Sequence, residues 1–198
     1  MVPILYNSDM SNVIEDIFKT GIYLVDLKLD TKSILETCLS YSKIHEGVEI
    51  SNFGGYQSND VSTHGDYSEV ITSILHHGKE YSKILKYNND RTLEDVWFNI
   101  NSYKDYNVEH SHPGCTMSGV FYVSTPRDCC DIQFLAPNYN ELELNNSAES
   151  ILTPYTFRTY TMPAIENRLY IFPNTLRHLV LPNMNKEEKR VSISFNLQ

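Results

Sequence analysis

The sequence predicts a mainly β (α+β) fold, a double-sheet jelly roll or double-stranded β-helix, supported by N-terminal helices. Two observations predict it. The 198 residues are 41% hydrophobic and 12% aromatic, which suits one folded domain with a sizeable core. After Asp95 the helical period disappears and short segments rich in β-branched and aromatic residues follow one another. We therefore expect a single domain over residues 1–198, with a mixed helical and strand support at 1–94 and a jelly-roll core at 95–198.

The N-terminal part carries the helix signals. Capping residues followed by apolar positions three and four apart predict helices at residues 9–18, 30–39 and 67–85. The longest of them has one apolar side, formed by Val70, Ile74 and Leu75. The segment G-I-Y-L-V-D-L predicts a strand that precedes the jelly-roll core.

Eight strands are predicted in the second half of the chain. Seven are the segments W-F-N-I-N-S-Y, S-G-V-F-Y-V-S, D-I-Q-F-L, Y-T-F-R-T-Y-T, R-L-Y-I-F, H-L-V-L and R-V-S-I-S-F-N-L, and the eighth is E-H-S-H. The polar residues 140–150 predict an exposed loop.

Charge and composition narrow the partners. A formal net charge of -9 argues against a general binder of nucleic acids or anionic membranes, so we expect a small-molecule or protein substrate. No leader pattern and no long apolar run is visible, so the expectation is a soluble, cytoplasmic protein, with a homodimer left open. The four cysteines lack C-x-x-C spacing and are interpreted as packing or incidental residues.

Two histidines mark a candidate metal site. His110 and His112 stand two apart in E-H-S-H-P-G, so in a strand they project from the same face, and Pro113 ends the strand behind them. A jelly roll brings its second and seventh strands side by side, so His178, at the start of a late strand, could complete the site. Each histidine taken alone is more simply an ordinary half-buried residue. The three together favour a metal.

A candidate anion site lies near the C-terminus. Arg190 and Ser192 also share a strand face, while Val191, Ile193 and Phe195 fill the other face. A guanidinium donates two parallel hydrogen bonds to a carboxylate, and a charge is not placed inside a barrel without an ion to meet it. The simpler alternative is a surface arginine at the start of a strand.

These elements together resemble the 2-oxoglutarate/Fe(II)-dependent dioxygenase superfamily, and in particular a subgroup of small bacterial and phage members with an H-x-H-P motif. The resemblance covers about residues 95–198. The matching positions are Trp97, Asn99, Asn107, His110, His112, Pro113, Ser118, Gly119, Val120, Tyr122, Val123, Phe172, Pro173, His178, Arg190, Ser192, Phe195 and Asn196.

The resemblance implies an oxygenase, most simply a hydroxylase. His110, His112 and His178 would bind Fe(II), and 2-oxoglutarate would chelate the metal and place its far carboxylate on Arg190 and Ser192. A hydroxyl from Tyr103 or Tyr122 would add a hydrogen bond. With molecular oxygen, 2-oxoglutarate would be decarboxylated to succinate while a C–H bond of an unidentified small molecule or protein side chain is oxidised.

One position departs from the family pattern. The usual triad is two histidines and one carboxylate, and His112 stands where Asp or Glu is expected. Three imidazoles are also a familiar zinc set. Two alternatives therefore stay open: a three-histidine metal enzyme of the cupin type, and a non-catalytic metal-binding jelly roll. The cupin motif continues with a glutamate a few residues after H-x-H. Residues 113–120 contain no glutamate, which argues against the cupin alternative.

The segment S-N-F-G-G-Y-Q-S, residues 51–58, also resembles part of that subgroup. Gly54 and Gly55 could bend the chain, and Phe53 and Tyr56 could contact a substrate. We expect this segment at the mouth of the barrel, as a rim or lid.

Overall fold

The computed structural model describes residues 19–87, 90–137 and 158–198. In these ranges there are two α-helices, α1 (Thr31–Ile44) and α2 (Ser68–Leu85), and a short 3₁₀ helix at Gly65–Tyr67. The first strands are β1 (Tyr23–Asp26), β2 (Asn52–Phe53), β3 (Tyr56–Gln57) and β4 (Leu93–Asn101). The remaining strands are β5 (Tyr106–His110), β6 (Met117–Ser124), β7 (Ile132–Leu135), β8 (Thr159–Met162), β9 (Arg168–Pro173), β10 (His178–Val180) and β11 (Arg190–Leu197).

The strands form two antiparallel sheets. The larger has the order β1-β9-β6-β11-β4-β3, and the smaller has the order β2-β5-β10-β7-β8. The eight strands β4 to β11 therefore divide four and four between the sheets in the double-stranded β-helix arrangement, which confirms the predicted fold class. The second and seventh of the eight, β5 and β10, are neighbours as the histidine argument required.

The large sheet has one face against the helices and one face inside the barrel. Val96, Phe98 and Ile100 of β4 and Val191, Ile193 and Phe195 of β11 are buried in the helix-facing core. On α2, Val70 and Ile74 are buried and Leu75 packs against the same core, which confirms the predicted apolar side. Alternation along each strand then leaves the intervening residues of β4 and β11 to face the other sheet.

The helices differ from the prediction mainly at their ends. The side chain of Asp30 caps α1 by accepting from the Ser33 amide at 3.1 Å, as the sequence predicted, but the helix continues to Ile44. Neither helix in the described ranges combines the length and the apolar character that crossing a membrane requires.

The remaining secondary-structure predictions have mixed outcomes. The predicted strand at 21–27 appears as β1, which extends the large sheet. The segment 51–58 contributes β2 and β3, which the sequence did not identify as strands. The predicted helix at 9–18 and the predicted loop at 140–150 lie outside the described residues.

A tight contact in the large sheet gives a stability prediction. A methyl group added at Gly119 of β6 would overlap the ring of Phe195 and the backbone oxygen of Tyr170, neither of which can move freely in the core. We expect Gly119→Ala to lower the free energy of unfolding by about 1–3 kcal/mol, measured by urea denaturation. Gly65→Ala is the matched control, because nothing lies within 4 Å of the added atom. Equal stability of the two variants would show that the sheet accommodates the methyl group.

Candidate functional site

Three histidines converge on one point of the barrel. His178 of β10 lies directly opposite His110 of β5 in the antiparallel register, and their ring centroids are 4.4 Å apart. The His112 ring lies 5.0 Å from His110 and 5.2 Å from His178, with the two Nε2 atoms of His112 and His178 at 3.3 Å. One ligand atom from each lies within 4.8 Å of the others, and no other such group of metal-ligating side chains occurs in the described ranges.

His112 reaches this point differently from the prediction. The strand ends at His110, so simple alternation does not orient the second ring. Instead the His112 amide donates to the Asn174 carbonyl at 2.9 Å, and the Asn174 side chain donates to the His112 carbonyl at 3.2 Å. This pair of hydrogen bonds holds His112 beside the end of β9.

Backbone carbonyls select the tautomer of two of the rings. Nδ1 of His110 lies 2.7 Å from the Val108 carbonyl, and Nδ1 of His178 lies 2.9 Å from the Leu176 carbonyl. A carbonyl can only accept, so each Nδ1 carries the hydrogen and each Nε2 keeps its lone pair. This is the arrangement in which a histidine ligates a metal through Nε2.

Burial keeps all three imidazoles neutral. Burial lowers the pKa of His110, and burial together with the neighbouring histidines lowers the pKa of His112 to about 4 and that of His178 to about 3. His178 is only 4% exposed. A neutral imidazole is the form that binds a metal ion, so the cluster is in that form at neutral pH.

The histidines line one wall of a cavity between the two sheets. Its polar side chains are Ser51, Asn99, Asn107, Tyr122, Ser192 and Ser194. Trp97 also lines it, with its ring 5.9 Å from that of His112. Phe172 packs edge-on against His178 at 4.7 Å and helps to fix that ring.

Arg190 lies at the start of β11, one inward position before the cavity-lining Ser192, and is fully buried. Its Nη1 donates to the carbonyls of Cys129 at 2.6 Å and Leu181 at 2.9 Å. Its Nε and Nη2 have no hydrogen-bond partner, and no carboxylate in the described part of the chain forms a salt bridge with it. Burial lowers its pKa because the charge has lost its water. Two free donors on a desolvated cation form a receptor for an anion.

Of the three residues predicted to bind the carboxylate together with Arg190, two line the cavity and one does not. Ser192 and Tyr122 are opposite each other on β11 and β6, and both line the cavity. The buried Tyr122 hydroxyl has no partner within the described structure, and burial raises its pKa. Tyr103 instead lies on the surface near Lys104 and Lys186, away from the cavity lining. The structure therefore brings Tyr122, and not Tyr103, to the site.

The segment 51–58 lies partly at the cavity. Ser51 lines it and accepts from the Asn107 side chain at 3.2 Å, and Gly54 and Gly55 both adopt positive φ values in the bend that leads from β2 to β3. Phe53 is exposed and stacks on Tyr106. The expectation for Tyr56 is wrong, because its ring stacks on Phe98 in the helix-facing core.

Sequence reasoning gave no role to several residues that line the cavity. Asn99 and Asn107 were identified only as positions that match the family subgroup. The available signal was the alternation of Trp97 and Asn99 with buried apolar residues on β4. Asn107 offered no such signal, because a register irregularity interrupts the pairing of β5 with β10.

Comparison with known proteins gives a consistent result. Residues 95–196, just over half of the chain, match the family described as "Putative 2OG-Fe(II) oxygenase". No curated protein matches the chain. The finer subgroup with the H-x-H-P motif stays a prediction.

Solved structures resemble the whole fold at low sequence identity. A prolyl-4-hydroxylase from Pseudomonas putida has a TM-score of 0.62 and 13% identity, with 89% of this chain and 92% of that chain covered. The non-haem α-ketoglutarate-dependent epimerase SnoN from nogalamycin biosynthesis has a TM-score of 0.67 and 12% identity, covering 90% and 78%. The viral collagen prolyl hydroxylase of Paramecium bursaria Chlorella virus-1 has a TM-score of 0.57 and 12% identity, covering 89% and 94%. At these identities the likeness concerns the fold.

The neutral histidines predict an acid sensitivity of the metal-free protein. In the unfolded chain each imidazole takes up a proton near pH 6.5, whereas the folded pKa of His178 is about 3. Stability present above pH 6.5 is therefore lost as the pH falls towards the folded value, at about 1.4 kcal/mol per pH unit for each such histidine. In urea denaturation with a chelator, we expect His178→Asn to have a shallower decline than wild type between about pH 6 and pH 4.

The exposed His64 provides the control, because His64→Asn should keep the wild-type slope. Carboxylates with lowered pKa, such as Asp26 and Asp60, contribute to acid sensitivity equally in all three proteins. Identical slopes for wild type and His178→Asn would mean that His178 is protonated in the folded protein.

Proposed function

Because the chain belongs to the 2OG-Fe(II) oxygenase family, we propose that His110, His112 and His178 bind its iron and that Arg190, Ser192 and Tyr122 bind 2-oxoglutarate. One observation carries this proposal: the fully buried Arg190 has two free nitrogen donors and no salt bridge in the described structure, and it comes one inward position before Ser192, which lines the cavity together with the three histidines. The iron and 2-oxoglutarate, when bound, supply the decarboxylation to succinate and the oxidation of a C–H bond by molecular oxygen.

The side chains fit a metal ion. Imidazole nitrogen is a suitable donor for iron, and two of the three rings have their Nε2 lone pairs fixed by Nδ1 hydrogen bonds. The Nε2 atoms of His112 and His178 lie 3.3 Å apart, so one metal ion could bind both nitrogens, and without it the Nε2–H tautomer of His112 can donate to His178. Convergence of three neutral imidazoles on one point supports a metal centre.

The other end of the site fits a carboxylate. The free Nε and Nη2 of Arg190 form the planar pair of donors that matches two carboxylate oxygens. The free hydroxyl of Tyr122 and the hydroxyl of Ser192 lie on neighbouring strands. A dicarboxylate could bind the donors of Arg190, Tyr122 and Ser192 with one carboxylate and the metal with its other end.

The absence of a carboxylate ligand within the described ranges defines the variant of the site. Glu109 forms an ion pair with Arg177, and Asp105 accepts from the Ser102 amide at 2.7 Å. Neither is part of the metal-ligating group. Three neutral ligands leave the metal with one more positive charge than two histidines and a carboxylate would, which strengthens its attraction for the anionic 2-oxoglutarate.

The protein orients the side chains that bind the ligands and excludes water from the site. The Cys129 and Leu181 carbonyls fix the guanidinium, Phe172 braces His178, and Ile132 and Val180 supply apolar wall. A dry site strengthens each charge interaction inside it. We propose hydroxylation of a small molecule or a protein side chain as the reaction.

Removing one histidine tests the metal centre. We expect His178→Ala to weaken binding of Fe(II) or Co(II) by more than the roughly 10–100-fold that loss of an outer-sphere partner costs, measured by equilibrium dialysis under anaerobic conditions. His112→Ala should do the same, whereas His112→Asp should retain the metal because it restores the usual family triad. His64→Ala, on the surface, should bind as wild type does. Full metal occupancy in His112→Ala would show that His112 is not a ligand.

Changing Arg190 tests the 2-oxoglutarate site. Loss of one partner of a desolvated ion pair should cost on the order of 2–5 kcal/mol, roughly thirtyfold to several thousandfold in affinity. We expect Arg190→Ala to lose 2-oxoglutarate binding by that factor while metal affinity is retained, and Arg190→Lys to lie between alanine and wild type. Calorimetric titration of the metal-loaded proteins measures both. Equal 2-oxoglutarate affinity in wild type and Arg190→Ala would make Arg190 a structural residue and remove the support for the proposed co-substrate site.

A further inference from the structure

The inward face of the large sheet has free hydrogen-bonding atoms of opposite kinds at its two ends. Near Arg190 the free buried atoms are mostly donors: Arg190 Nε and Nη2, Asn101 Nδ2 and the Tyr122 hydroxyl. The free acceptors Asn99 Oδ1 and Gln57 Oε1 lie one rung farther along, opposite Ser192 and opposite Asn99 respectively. A second group, beyond Trp97, consists of the acceptors Asp95 Oδ1 and Asn196 Oδ1. The first group suits an anion. The second group has no use in the proposed binding of iron and 2-oxoglutarate.

Strand register gives the direction from one group to the other. On β11, residues 190, 192, 194 and 196 share the inward face, and their partners on β4 are Asn101, Asn99, Trp97 and Asp95. Trp97 and Ser194 form the rung that lies beside His112. Asp95 and Asn196 form the next rung, about 7 Å farther from Arg190. The acceptor rung thus lies beyond the histidines, on the side away from the anion site.

Asp95 carries a negative charge that the described part of the chain does not neutralise. Burial raises its pKa, Asp60 and Glu94 raise it further, and no positive side chain offsets them. The contact with Asn196 satisfies only part of the carboxylate, since Oδ1 of both residues stays free. Two free acceptor oxygens beside one negative charge select a cationic hydrogen-bond donor.

We propose that Asp95 and Asn196 form the substrate-recognition site of this oxygenase and that they hold a guanidinium or ammonium group of the substrate. The substrate's positive group would lie on the acceptor rung, and the carbon to be oxidised would extend past Trp97 towards the three histidines. This inference rests on the proposed function, because it takes the histidine cluster as the reaction centre. It specifies that function by giving the substrate class as basic.

Trp97 provides the measurement, because it is the single tryptophan of the chain and lies between the two sites. Its fluorescence can be followed in the Zn(II)- and 2-oxoglutarate-loaded protein during titration with four butyl compounds. Butylguanidinium has both charge and N–H donors, butyltrimethylammonium has charge alone, butanol has a donor alone, and butyrate has the opposite charge. We expect butylguanidinium to bind at least about tenfold more tightly than the other three.

Asp95→Asn is the test variant and Glu94→Gln is its matched control. The first keeps the size of the side chain but removes the charge, and the second removes the same charge from the exposed neighbour on β4. We expect Asp95→Asn to bind butylguanidinium roughly 10–100-fold more weakly than wild type, and Glu94→Gln to bind it as wild type does. Equal binding by Asp95→Asn and wild type, tighter binding of butanol or butyrate, or no saturable response to butylguanidinium would each overturn the inference.

The same samples separate this inference from the proposed function. If wild type does not bind 2-oxoglutarate, the proposed oxygenase function is contradicted. If wild type binds 2-oxoglutarate but shows no preference for the cationic compound, only the recognition site is contradicted. Succinate formation by the Fe(II) enzyme with free L-arginine or with an arginine-containing tetrapeptide then distinguishes a metabolite from a peptide source. Faster succinate formation with either one in wild type, but not in Asp95→Asn, is the expected result. No acceleration by either would contradict a guanidinium-bearing substrate.

Discussion

On β4 and β11, one face must be apolar because it packs against the helices, and the other face carries the polar residues of the site. The position of the site therefore depends on the register of these two strands. Alternate residues from Val96 to Ile100 on β4 and from Val191 to Leu197 on β11 are apolar and belong to the core that α1 and α2 cover. Packing against the helices fixes the orientation of the sheet. The intervening residues therefore face the inside of the barrel, even where no hydrogen-bond partner is available there. A one-residue slip of either strand would exchange the two sets, so the apolar core that stabilises the fold also holds the polar site in register.

Inside the barrel the electrostatics are unbalanced without a ligand. Three imidazoles are kept neutral by burial while one guanidinium is kept charged and loses its water, and no carboxylate in the described ranges forms a salt bridge with Arg190 or belongs to the histidine cluster. Burying polar groups in this state costs free energy that the apolar core must offset. A metal ion and a dicarboxylate bind only the folded arrangement, so their binding should also stabilise the fold through mass action.

The free polar atoms on the inward face are therefore informative rather than incidental. A natural core leaves few buried donors and acceptors without partners, and each that remains needs an explanation. Here the free donors lie around Arg190, and the free buried atoms beyond Trp97 are the acceptors Asp95 Oδ1 and Asn196 Oδ1. The inward face of the sheet therefore favours an anion near Arg190 and, in the proposed recognition site, a cation beyond Trp97.

Sequence by itself determined the features that depend on local period. Alternation placed Arg190 and Ser192 inside the barrel, and the eight short strands defined the jelly roll, from which the neighbourhood of His178 and His110 followed. Tertiary structure decided what depends on turns, irregular register and contacts between distant segments. His112 is oriented by Asn174 after its strand has ended, and Tyr122 rather than Tyr103 reaches the cavity. The physical reason is that side-chain direction within a strand repeats every two residues, whereas beyond a strand end it is set by whichever backbone groups the rest of the fold supplies.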